Sequence, residues 1–104
     1  MKNYFLIILL VTSFPVYSWD GNKTGKIGRI QITAAGNYGF RVSLTDLTPL
    51  CGGTADWAYV EKDDSNYETY LSGLLAAKFS KTDVTLFTNR QPNNYCKIGH
   101  IYID

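Results

Sequence analysis

Ser65-Asn66-Tyr67-Glu68-Thr69-Tyr70-Leu71-Ser72-Gly73-Leu74-Leu75-Ala76-Ala77-Lys78-Phe79-Ser80-Lys81 is the one stretch of the chain with a helical period, and its place between strands decides the fold. Ser65 and Glu68 have the S-x-x-E spacing of a capping box, and Asp63 and Asp64 before them suit the positive end of a helix dipole. Tyr67, Tyr70, Leu71, Leu74, Leu75 and Phe79 follow at spacings that make one apolar stripe, which predicts a core-facing helix. Lys78 and Lys81 fall at its C-terminal end, where cations are favoured. Gly73 is less favourable than alanine by about 1 kcal/mol in a helix interior. Either it admits a close neighbour or it is tolerated.

Outward from the helix, the chain alternates with period two. Lys26 to Ala34 ends in Ile30-Gln31-Ile32-Thr33, and Phe40-Arg41-Val42-Ser43-Leu44-Thr45 places Phe40, Val42 and Leu44 on one face. Ala35-Gly36-Asn37-Tyr38-Gly39 between them predicts a β-hairpin. Thr48 to Gly53 reads as a loop and Ala55 to Val60 as a third strand, with Trp57 and Tyr59 on one face. After the helix come strands over Thr82 to Thr88 and Tyr95 to Ile103, separated by Asn89-Arg90-Gln91-Pro92-Asn93-Asn94. The last strand is expected to place Ile98, His100 and Tyr102 on one face and Gly99, Ile101 and Ile103 on the other. The expected class is mainly β, a small α+β domain. The order β-β-β-α-β-β fits a five-stranded OB-like barrel with the helix between strands 3 and 4. An open α+β sandwich has the same order.

Residues 1–18 read as a signal peptide, leaving residues 19–104 as a single domain. Lys2 supplies a basic start, Tyr4 to Val11 an apolar run, and Ser18 a small residue for cleavage. The apolar run is far short of the about 20 residues of a membrane span, so no span is expected after cleavage. A secreted or periplasmic location follows. The remaining 86 residues carry equal numbers of acidic and basic side chains. A formally neutral surface excludes a nucleic-acid binder that relies on basic charge. Cys51 and Cys96, the two cysteines, have one intramolecular pairing open to them in an oxidising compartment.

Catalytic and metal chemistry find no pattern. His100, the sole histidine, alternates with apolar residues on a strand and has no identifiable nucleophile or orienting partner. No Walker loop, HExxH or G-x-S-x-G is present. No catalytic residue, metal ligand or cofactor is assigned, and the chain reads as a non-enzymatic binding module. Asn22-Lys23-Thr24 fits the N-glycosylation pattern, which is common by chance.

In an OB-like barrel the loops between strands 1 and 2 and strands 4 and 5 flank the ligand face. This nominates Asn37 and Tyr38 with Arg90, Gln91, Asn93 and Asn94, whose donors and acceptors suit a hydroxyl-rich ligand. The same residue types are also plain turn formers. Trp57 and Tyr59 fit either a stacking platform or the core, and Trp57 reads as a core residue first, because a small core needs its aromatics.

Leu50-Cys51-Gly52-Gly53, Trp57-Ala58-Tyr59 and Tyr95-Cys96-Lys97-Ile98-Gly99-His100-Ile101 resemble segments of small exported bacterial single-disulfide proteins of largely uncharacterised function. The whole layout is similar to the B subunits of AB-type bacterial toxins. That resemblance implies an OB-fold subunit of a homo-oligomer, a pentamer, which binds a cell-surface glycan and carries a separate toxin subunit. The competing expectation is a secreted or periplasmic accessory or inhibitor domain that binds protein and has no sugar affinity. Cys51 and Cys96 are expected to be bonded in the exported protein. Intact mass after alkylation without reductant then shows no label, and two labels appear after reduction.

Overall fold

The computed structural model describes residues 18–104, so all but the last residue of the expected signal peptide lies outside the described residues. The strands are β1 (Gly21–Gly25), β2 (Ile27–Ile32), β3 (Phe40–Leu44), β4 (Ala58–Tyr59), β5 (Val84–Arg90) and β6 (Cys96–Ile103), with helix α1 (Tyr67–Ser80) between β4 and β5. They form one mixed six-stranded sheet in the order β1-β5-β6-β4-β3-β2. The domain is thus a mainly β, small α+β fold with one helix. The expected five-stranded closed barrel is corrected on two counts: there are six strands, and no ladder joins the edge strands β1 and β2. Those edges are nonetheless separated in the chain by Lys26 alone. Two residues of chain reach at most about 7 Å, whereas strands lie about 4.8 Å apart, so the sheet curls strongly to bring its edges together.

β1 was not foreseen because GNKTG has no apolar alternation; only Gly21 is buried, and the backbone ladder to β5 holds the strand. The hairpin expected of Ile27–Ile32 and Phe40–Leu44 forms, in antiparallel register from Ile27↔Leu44 to Ile32↔Phe40. Phe40, Val42 and Leu44 are buried together as their alternation requires. The third strand shrinks from Ala55–Val60 to Ala58–Tyr59, which pairs antiparallel with β3 and parallel with β6.

α1 lies against β2 and β6. Leu74 and Ala77 are fully buried, and Tyr67, Tyr70, Leu71 and Leu75 pack at the margin of the core. Phe79 does not join them and is 82% exposed. At 100° per residue it lies about 140° around the helix from Leu74, beyond the buried stripe. The capping box does not form. The helix starts at Tyr67, and the Asp64 carboxylate instead accepts the Asn66 N–H at 2.8 Å. Gly73 does admit a neighbour, since a Cβ there would sit 3.0 Å from Ile103 Cδ1.

β6 changes face in mid-strand. Phe87 pairs with His100 but Thr88 pairs with Ile98, so Gly99 is an extra residue in a bulge. Ile98 therefore stays in the core with Cys96, Ile101 turns to the helix side, and His100 and Tyr102 project opposite. The expected grouping of Ile98 with His100 and Tyr102 is overturned by that single residue. The Gly99 carbonyl accepts the Tyr70 hydroxyl at 2.9 Å. Its missing side chain leaves a notch filled by Trp19, whose ring would be 2.5 Å from a Cβ.

The Cys51–Cys96 disulfide is present, with Cα atoms 5.6 Å apart and both residues fully buried. It is compatible with an extracytoplasmic location. Among the described residues no helix is long and apolar enough to cross a membrane. Truncating Leu74 to alanine is expected to destabilise the domain by about 2–5 kcal/mol, as buried leucines do. Phe79→Ala is expected to change stability by less than about 0.5 kcal/mol, as exposed positions do. Denaturant titration of the two variants checks the difference.

Candidate functional site

The register of β3, β4 and β6 builds an aromatic surface. Val42, Ala58 and Cys96 are register partners that point into the core. By period-two alternation their neighbours Arg41, Trp57, Tyr59 and Tyr95 share the opposite face. Trp57 and Tyr95 each precede one residue of the Ala58↔Cys96 pair, and their ring centroids lie 4.8 Å apart. The Arg41 guanidinium carbon sits 4.4 Å from the Trp57 ring centroid, within cation–π range.

Tyr38 completes the cluster from the β2–β3 turn. Its ring is 4.6 Å from Tyr59, edge-on to Tyr95 at 5.2 Å, and 6.0 Å from Trp57. The Asn93 side-chain amide donates to its hydroxyl, and Asn93 Oδ1 accepts the Tyr95 N–H at 3.1 Å. Tyr38 holds φ 68 and ψ 8, the left-handed region, which costs a bulky residue about 1–3 kcal/mol. In that conformation the side chain makes its ring contacts and accepts the Asn93 amide. Trp57 and Tyr38 are half-buried and Tyr95 is 38% exposed, so the platform meets solvent. The expectation that Trp57 lies in the core is corrected: only its neighbour Ala58 points inward.

The nominated loop residues divide. Tyr38 and Asn93 meet in the cluster. Asn37 is exposed in a 3-10 turn (Ala35–Asn37) beside Tyr38. Asn94 is exposed with φ 71 and serves the turn, its N–H donating to the Gln91 carbonyl. Gln91 is half-buried, and its side-chain amide donates to the Asn89 carbonyl. Arg90 turns away: its side chain lies against the Gly52–Gly53 segment, and its N–H donates to the Asp20 carboxylate at 2.7 Å. Arg41 and Tyr95 were missed. Their signal was present in the alternation, since each adjoins a residue that alternation or the disulfide marks as internal.

Arg41 Nε is a buried side-chain nitrogen without a hydrogen-bond partner among the described residues. Tyr59, 6% exposed, has its phenol pushed above its ordinary pKa of 10.0 by burial and by the negative charge of Glu61. A second group of rings joins Phe87 of β5 and His100 and Tyr102 of β6 with Trp19, which precedes β1; His100 is 5.2 Å from Phe87 and 5.0 Å from Tyr102. No group of three or more metal-ligating side chains occurs among the described residues.

No known protein family, curated protein or solved structure shows detectable similarity to this chain.

Because folding raises the Tyr59 pKa, its protonated form is the one the fold favours. The stability linked to it is intact below pH 10 and declines as pH rises through the higher folded value. A spectrophotometric titration at 295 nm is expected to show a late-ionising tyrosine. Tyr59→Phe should diminish that late phase, which Tyr70, raised by burial and Asp64, shares.

Proposed function

We propose that this protein is an exported, non-enzymatic binding module that takes glycans on the Tyr38–Trp57–Tyr95 surface. The carrying observation is the convergence of two separate turns, through Tyr38 and Asn93, on partly exposed aromatic rings. Sugar rings present C–H faces that pack on aromatic side chains, while their hydroxyls need the donors and acceptors that Asn93, Asn37 and the tyrosine hydroxyls supply. Arg41, stacked on Trp57, stiffens the platform before any ligand arrives.

The sheet order brings the same two turns together: β3 and β6 flank β4, and the β2–β3 and β5–β6 turns meet at Tyr38 and Asn93. A homo-oligomer such as a pentamer would turn weak single sites into useful avidity and could carry a separate toxin subunit.

A second reading, an accessory or inhibitor domain that binds protein, is favoured by the exposure of Phe79 at 82% and Ile32 at 78%. A glycan array probed with the protein from Trp19 onward separates the two. The expected result is a glycan signal that falls at least tenfold in Trp57→Ala and clearly in Asn93→Ala, but little in Arg90→Ala. The formally neutral domain should hold that signal between low and moderate salt, unlike a polyanion binder. Absence of any signal from a protein shown by light scattering to be oligomeric would reject the glycan reading and leave the protein-binding one.

A further inference from the structure

We propose that the ligand is amphiphilic: a sugar stacks on the aromatic platform while its apolar aglycone, an alkyl or acyl chain, enters the cleft between α1 and the β2–β3 hairpin. This rests on the glycan reading and specifies what the same site takes.

The cleft has a volume of about 540 Å³, within the range of small-molecule sites. Its walls are apolar, made by Ile32 and Phe40 from the hairpin and by Tyr67, Leu71 and Leu75 from the helix. Its charged side chains, Glu61 and Lys62, are of opposite sign, so the lining has no net preference for a charged group. Ile32 on that wall is 78% exposed, and an occupant of the cleft would cover it.

Continuity with the platform selects the occupant. Tyr38 and Tyr59 line the cleft and also belong to the aromatic cluster. Tyr38 is therefore a partition: one environment of its ring is Trp57, Tyr59 and Tyr95, and the other is the cleft. Its left-handed backbone at φ 68 is retained despite its cost, and it fixes the ring at that boundary. A ligand with a ring over Trp57 and Tyr95 and a chain extending past Tyr38 uses both surfaces. A free sugar uses one.

Calorimetric titration with methyl and hexyl β-glycosides of glucose, galactose and N-acetylglucosamine tests this, with hexanol as a sugar-free probe and all hexyl compounds below their micelle thresholds. For any sugar that binds, the hexyl glycoside is expected to bind at least tenfold tighter than the methyl one, since each fully buried methylene is worth about fourfold. Ile32→Gln should bring that ratio towards one. Trp57→Ala should weaken both glycosides. Equal affinities for methyl and hexyl forms of a sugar that binds would overturn the aglycone assignment and leave the glycan reading standing. Hexanol binding as tightly as a hexyl glycoside would overturn it too, because the cleft would then act without the platform. Failure of every hexyl glycoside to bind would overturn the aglycone assignment, while the glycan array decides the broader glycan reading. A fall in the solution mass of Ile32→Gln would also overturn it, by showing that the cleft is a contact between copies of this chain.

Discussion

The Cys51–Cys96 disulfide secures one of the two shortest seams of the sheet, the parallel one between β4 and β6, and ties the two halves of the molecule together there. Strands β1, β5 and β6 form one half and β4, β3 and β2 the other, joined by a parallel ladder of only two residue pairs, Ala58↔Cys96 and Tyr59↔Lys97. So short a ladder is a poor hinge for two three-stranded halves. The disulfide begins at the first of those pairs and ties it to the loop before β4. Next to it, Leu50 donates its N–H to the Ala55 carbonyl and accepts the buried Thr88 hydroxyl. Closing a loop of 45 positions restricts the unfolded chain by about 4 kcal/mol as an upper figure. For a domain of this size that is a large share of typical net stability.

The same seam sets the aromatic surface. Trp57 and Tyr95 are chain neighbours of the residues that the seam aligns, so their rings meet because Ala58 and Cys96 do. Across the other side of β4, Arg41 is the register partner of Tyr59 and reaches Trp57. Tyr38 then closes the cluster from a turn that the hairpin register fixes. Stability and the candidate site therefore share one set of backbone contacts. The exposed Lys26–Asp83 ion pair, at 2.7 Å, adds little by comparison, because exposed pairs are worth about 0–1 kcal/mol.

Glycine shapes the half of the sheet that holds β6. The bulge at Gly99 sends His100 and Tyr102 to one side and Ile101 to the helix side, and the notch it leaves seats Trp19. Near the end of the same strand, Gly73 of α1 lets the helix approach Ile103. The histidine that stood out in the sequence thus ends among rings, stacked near Trp19 at 6.3 Å. Its side chain remains exposed there.

The sequence by itself determined the class, the single helix, the β2–β3 hairpin, the inward residues of β3 and the pairing of the two cysteines. These rest on local period and on counting, and neither requires knowledge of distant residues. It also nominated the two turns that meet at Tyr38 and Asn93. Tertiary structure alone decided the rest. β1 exists because β5 offers a backbone ladder to a stretch with no apolar pattern. The bulge at Gly99 is one inserted residue, and it reverses every later side chain of β6, a consequence that period-two reading cannot anticipate. Asp64 displaced Ser65 at the helix start because the chain enters α1 through a turn that brings its carboxylate to the Asn66 N–H. Arg90 and Asn93 look alike in a polar loop, yet one lies against Gly52–Gly53 and the other on Tyr38. Their separation depends on where the strand ends and the turn begins, which pairing across the sheet fixes and sequence spacing does not.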